Sequence, residues 1–199
     1  MTKSRLIAEI ISIILSPLVV LATVPFFLVY ETTGNLHLAI SWTVLSVAFI
    51  LVFFVSILIG IKLGMVSNID ISRREERPRV FLFAIMLSII YLLTLYFYRA
   101  PMIMFAGVLA LVAGIVVLGI ANTFTKVSWH LAVFSAFMTL LVLAEGWIFL
   151  FGFLLTPVIA WARIRTKNHT RKQTILGACL GIVTTVVFYV IFKYILKYG

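Results

Sequence analysis

The sequence predicts an all-α, polytopic transmembrane helix bundle of six to seven helices, on three observations. Hydrophobic residues make up 64% of the chain and charged residues 11%, and the mean hydropathy is +1.23, a balance that ordinary soluble domains do not reach. The apolar residues come in successive runs, each long enough for the roughly 20 residues that one helical crossing of a bilayer core requires. Short polar segments rich in lysine and arginine separate those runs. The chain reads as one integral membrane domain over 1–199, with helices at about 6–30, 37–63, 80–98, 101–121, 128–144, 147–163 and 174–196.

The first run follows Lys3 and Arg5 and looks like a signal peptide at its start, but Glu9 and the later runs favour a retained helix. Pro17 and Pro25 predict kinks in it, because each removes a backbone donor. Gly34-Asn35 is a turn, and the second run closes at Lys62 and Gly64. The segment from Ser67 to Arg79 is too charged to lie in hydrocarbon. The 42 residues from Val80 to Ala121 would make a helix about 63 Å long, twice what a bilayer covers. They must double back, and Arg99-Ala100-Pro101 marks the turn. The 36 residues from Val127 to Ala162 would reach about 54 Å, so they double back as well, at Glu145-Gly146. Trp129, Trp147 and Trp161 then fall where interfacial aromatic residues belong. In the last run Gly177 and Gly181 leave one face slim enough for close helix contact.

Two hairpins return the chain to the side from which it entered, so the polar loops around 67–79, 122–126 and 162–173 are expected on one membrane face. That face would hold every lysine and arginine except Arg99, Lys193 and Lys197. The positive-inside bias makes it cytoplasmic, in a cell membrane, with the prokaryotic inner membrane as the expected site. Basic residues in short loops between apolar runs indicate topology and anionic lipid headgroups rather than a nucleic acid partner. Cys179, the only cysteine, excludes a disulfide within the chain and a cysteine-built metal site, and reads as a packing residue.

The chemistry concentrates in the stretch from Ala162 to Gln173 and in the segment before the fifth helix. His130 and His169 both fall at loop–helix borders on the common face, and histidine can transfer protons near neutral pH or attack phosphorus. Arg77, Lys126, Arg163, Arg165 and Lys167 are cations of the kind that hold phosphate oxygens. Taken singly, each histidine reads as interfacial packing and each basic loop as a topology signal. His37 falls on the opposite face and reads as structural, and Glu9 and Glu145 as helix-end residues.

Arg163-x5-His169-x3-Gln173, preceded by Lys126-Val-Ser128-Trp-His130 and by Arg77-Pro78, resembles the type 2 phosphatidic acid phosphatase family, membrane relatives of the vanadium haloperoxidases. That family carries Lys-x6-Arg-Pro, Pro-Ser-Gly-His and Ser-Arg-x5-His-x3-Asp, and the resemblance spans roughly 70–173 with the flanking helices. It implies a haloperoxidase-like helical bundle and a metal-independent lipid phosphatase without cofactor. The substrate would be a phosphate or diphosphate ester of a membrane lipid. His169 would be the nucleophile that forms a phosphohistidine, His130 the acid that protonates the leaving group, and Arg77 and Arg163 the phosphate cradle. Arg73, Arg74 or Lys126 would stand in for the cation of the first-motif lysine, with Lys126 and Arg74 among the phosphate ligands, and Gln173 would orient His169. The chain departs from the pattern at Asp70, Trp129, Ala162 and Gln173, which stand where the family has lysine, glycine, serine and aspartate.

Three other functions compete. The same fold could bind or scaffold a lipid headgroup after losing turnover, as Asp70 and Gln173 suggest. A magnesium-dependent prenyltransferase would need more carboxylates at helical spacing than Asp70, Glu75 and Glu76 provide. A channel or carrier would need a charge deep within a helix, which the sequence does not offer.

Overall fold

The structure is a computed structural model that describes residues 2–198, the side chains of 195–198 excepted. The side chain of Lys197, one of the three cations expected on the opposite face, lies outside the described residues. The regular elements are helical: α1 (Lys3–Ile14), α2 (Pro17–Thr33), α3 (Leu36–Lys62), α4 (Arg77–Phe97), α5 (Met102–Phe124), α6 (Trp129–Glu145), α7 (Leu155–Arg165) and α8 (Arg171–Tyr198). Stretches of 3-10 helix cover Arg74–Glu76 and Trp147–Leu154. Among the described residues six helical segments are long and apolar enough to cross a membrane, and the shorter apolar α6 makes a seventh. Leu51, Val52 and Val55 of α3 and Leu82, Met86, Ile89 and Leu93 of α4 are exposed. Lipid is the solvent that tolerates such a surface on a fully hydrogen-bonded helix.

The elements differ from the expected boundaries in three places. The first run is two helices, because Pro17 has no amide to give to the Ile13 carbonyl. The Ser16 amide turns back to that carbonyl at 3.2 Å, α1 stops at Ile14, and α2 opens on Pro17. Proline suits the first helical position; Pro25 stays inside α2. The sixth expected helix is also two pieces. Gly146, at φ 113°, ends α6, and an eight-residue 3-10 stretch precedes α7. A 3-10 coil rises about 2.0 Å per residue against 1.5 Å in an α-helix, so the 19 residues of Trp147–Arg165 reach about 32 Å instead of about 28 Å. Finally, α4 and α8 begin three residues before their apolar runs, at Arg77 and Arg171: Pro78 in the first turn suits the start of α4, and Thr170 with Gln173 caps the start of α8.

The chain forms two compact units, residues 21–119 and residues 1–20 with 120–199. In the first, α2 to α5 enclose a core of Val29, Ala39, Trp42, Tyr91, Leu95, Met104 and Val108. Tyr91 and Ser46 share a buried hydrogen bond, and the rings of Phe53 and Phe83 stack at 6.1 Å. Those two contacts set α3 and α4 antiparallel. The turn after α4 is a Schellman motif. Arg99 is left-handed at φ 51°, its amide meets the Tyr96 carbonyl, and the Ala100 amide meets that of Leu95 at 2.9 Å. Pro101 then bars continuation, and α5 returns so that Gly119 faces Phe81.

In the second unit α6 is the central helix and buries Leu131, Phe134, Met138 and Leu141. α8 runs parallel beside it, with Gly177 against the Ser128 carbonyl and Gly181 against that of Ala132. Farther along, the Tyr189 hydroxyl donates to the Leu143 carbonyl at 2.8 Å. The segment between them is antiparallel to α6, with Gly152 at Met138. α1 packs on α7, where Arg165 donates to the Ser4 hydroxyl through Nε at 3.1 Å and Nη2 at 2.7 Å.

Candidate functional site

Two backbone motifs build the turn between α7 and α8. α7 ends in a Schellman motif with Lys167 left-handed at φ 58°. The Lys167 amide donates to the Ile164 carbonyl at 2.9 Å and the Asn168 amide to the Arg163 carbonyl at 3.1 Å. The His169 amide joins the same Arg163 carbonyl at 3.2 Å. α8 then opens with a reciprocal capping box. The Gln173 amide donates to the Thr170 hydroxyl at 3.4 Å, and the Thr170 amide donates to Gln173 Oε1 at 3.1 Å. Asn168 and His169 are the link between the two motifs, so the imidazole is placed by backbone geometry on both sides.

Gln173 Oε1 also accepts from His169 Nδ1 at 3.3 Å. An amide oxygen cannot donate, so Nδ1 carries the proton, and in the neutral ring the lone pair lies on Nε2. His169 is 8% exposed and Arg163 2% exposed, which puts both beneath the surface. Lys126, before α6, donates through Nζ to the Asn168 carbonyl at 2.8 Å. The Ser128 amide donates to the Gln173 carbonyl at 3.3 Å. The 122–126 and 162–173 loops therefore meet at one end of the unit. Because the Ser128 carbonyl lies beside Gly177, about 9 Å along α8 from Arg171, α6 begins roughly one to two turns below the start of α8. At that recessed start the buried Ser128 Oγ has no hydrogen-bond partner among the described residues.

His130 lies in the first turn of α6, half-buried, with Nε2 3.1 Å from the Ser12 carbonyl. A carbonyl only accepts, so Nε2 carries the proton. The break before Pro17 leaves this carbonyl without its helical donor. The Ser16 amide, which a continuous helix would give to Ser12, is turned to Ile13.

Arg77, Arg74 and Asp70 belong to the other unit. The loop there is held by Glu76, whose Oε2 accepts from the Ser67 amide and hydroxyl, each at 2.9 Å. Arg77 is 2% exposed and donates through Nε to the Ile71 carbonyl at 3.2 Å. Arg74 lies partly exposed in the 3-10 turn and Asp70 is exposed. The second unit thus gathers Lys126, Arg163, His169 and Gln173 at one junction, with His130 in the first turn of α6. Among the described residues no three or more histidine, cysteine, aspartate or glutamate side chains gather for a metal.

Ser12, Asn168 and Thr170 are the participants that sequence reasoning missed. Thr170-x-x-Gln173 is a capping-box signature and could have been read as one. The parts played by the carbonyls of Ser12 and Asn168 leave no mark in side-chain identity.

The fold defines the class: an all-α integral membrane protein with six candidate crossings. Compared with protein-family models, characterised proteins and solved structures, the chain matches none.

Proposed function

We propose that the protein hydrolyses a phosphate or diphosphate ester of a membrane lipid, with His169 as nucleophile. The observation that carries this reading is the His169–Gln173 pair, a buried ring oriented through Nδ1, with Lys126 reaching the same turn through the Asn168 carbonyl. Nε2 would attack phosphorus while the bond to the leaving oxygen breaks, and the cations would offset the charge on the transferring group. His130 as an imidazolium would give the leaving oxygen its Nδ1 proton and relax to the neutral ring whose Nε2–H remains on Ser12. Water, deprotonated by the same nitrogen, would then cleave the phosphohistidine and release phosphate. The membrane is a cell membrane, the prokaryotic inner membrane on this reading, with the site at its cytoplasmic face.

Phosphate release from phosphatidic acid, phosphatidylglycerol phosphate and a polyprenyl diphosphate, with a chelator present, tests the reading. The parent should release phosphate from at least one, and His169→Ala should lose that activity by about 10³-fold or more. Equal rates in parent and variant would remove the mechanism.

Gln173 favours a second reading, a headgroup-binding protein without turnover. Its oxygen is neutral and shared with the Thr170 amide, so it supplies orientation but no charge to stabilise an imidazolium. Gln173→Asp together with Asp70→Lys separates the readings. Turnover gained from none supports a lapsed enzyme, and loss of existing turnover supports a specialised one.

A further inference from the structure

Lys3, Arg5, Arg165, Lys167, Arg171 and Lys172 are exposed on one end of the second unit, where α1 starts, α7 stops and α8 starts. The Arg165 guanidinium fastens the first turn of α1 to the last turn of α7 through Ser4. One acidic residue stands near, Glu9, and it is paired with Arg5 at 3.1 Å. Arg165 and Lys167, which the sequence groups with the phosphate-holding cations, are exposed on this rim, and none of the six has a role in the proposed phosphate chemistry.

Two of these cations do not serve the helix that carries them. Arg171 and Lys172 occupy the first turn of α8, which has no acidic residue, and positive charge at a helix N-terminus is unfavourable. Lys167 holds a left-handed conformation that glycine or asparagine would adopt at lower cost. What offsets such an arrangement is an external anion. One turn farther along the same helices the surface is apolar: Leu6, Ile7 and Ile10 on α1, Trp161 on α7 and Ile175 on α8 are 42–64% exposed. A cationic band bordering apolar helix faces matches an amphiphile whose head is anionic and whose tails are acyl chains, and matches neither a nucleic acid nor a soluble acidic protein.

We infer that this rim is a binding surface for anionic membrane lipid, distinct from the substrate pocket, that clasps α1 to the α7–α8 turn. The bound lipid holds the N-terminal helix in place by spanning charges on both sides of the Ser4–Arg165 contact.

Thermal unfolding of the purified full chain in neutral detergent tests this with phosphatidylglycerol, phosphatidylcholine or soluble glycerol phosphate as the added probe. Phosphatidylglycerol should raise the midpoint by about 3–5 °C, and the other two should not. The rise should disappear in 1 M salt, which screens exposed charges beyond about 3 Å. It should also disappear in the Arg165→Gln, Arg171→Gln, Lys172→Gln triple variant and persist in Arg171→Lys. An equal rise with phosphatidylcholine or glycerol phosphate, or a rise that survives salt or the triple variant, would overturn the inference. The salt arm needs no variant to fold. Repeating the series in His169→Ala separates the two proposals, because the lipid response should remain there whether or not phosphate release is lost.

Discussion

Gln173 does two jobs with one oxygen. Its Oε1 accepts from the Thr170 amide at 3.1 Å and from His169 Nδ1 at 3.3 Å, which two carbonyl lone pairs allow. Gln173→Ala should therefore cost about 1 kcal/mol of stability through the lost cap and release the ring as well. Gln173→Glu should keep the stability, since a carboxylate accepts both bonds. Thermal unfolding of the two variants beside the parent checks this, and equal loss in both would show that the cap is not the stabilising contact. The spacing of Arg163, His169 and Gln173 was legible in the sequence, and the junction holds all three. What the spacing concealed is that it also serves a Schellman motif followed by a capping box, so these intervals are fixed by helix ends as much as by chemistry. The sequence offered no sign that His130 would bond a carbonyl of α1, because that partner is a backbone atom 118 residues away.

Among elements, α8 tests how a small residue is used. A Cβ at Gly177 would lie 2.5 Å from the Ser128 carbonyl oxygen, and one at Gly181 would press on the Ala132 backbone. Backbone cannot move aside as a side chain can, so Gly177→Ala or Gly181→Ala should destabilise by about 1–3 kcal/mol. Gly114 in α5 has nothing within 4 Å of a built Cβ, and Gly114→Ala should instead stabilise by roughly 0.4–1 kcal/mol. Unfolding midpoints moving in the same direction for all three would defeat this account. The spacing of Gly177 and Gly181 revealed the slim face of α8 but not its partner α6, because pairing depends on which carbonyls come near. The break between α1 and α2 was half legible: Pro17 predicted a kink, and the result is a full interruption. Pro17→Ala restores an amide for Ile13 and lets Ser16 return to Ser12, so that His130 must share that carbonyl with a backbone amide. Nitrogen NMR of the His130 ring should then show a changed balance of tautomers; an unchanged ring would mean that the break does not seat it.

For the whole molecule, length arithmetic carried the reading farthest. Runs of 42 and 36 residues cannot cross a bilayer once, and both double back where expected, at Arg99-Ala100-Pro101 and at Gly146. The same arithmetic could not see that a 3-10 stretch would extend one limb, since hydropathy is blind to coil tightness. It also could not see two compact units, because apolar runs of equal character give no sign of which helices share a core. The charge bias predicts orientation, and the second unit allows a direct check. Ser4 with Arg165, and Lys126 with Asn168, put the N-terminus and the two loops at one end, while Gly146 and Trp147 close the other end of α6. In a Cys179→Ser background, Thr2→Cys and Lys167→Cys should react with a membrane-impermeant maleimide only from the cytoplasmic side, and Trp147→Cys only from the opposite side. Full reversal would turn the molecule over and place the phosphate junction outside the cell. Labelling of Lys167→Cys and Trp147→Cys from one side would contradict the α6–α7 hairpin, and with it the meeting of Lys126 and His169 on which the proposed chemistry depends.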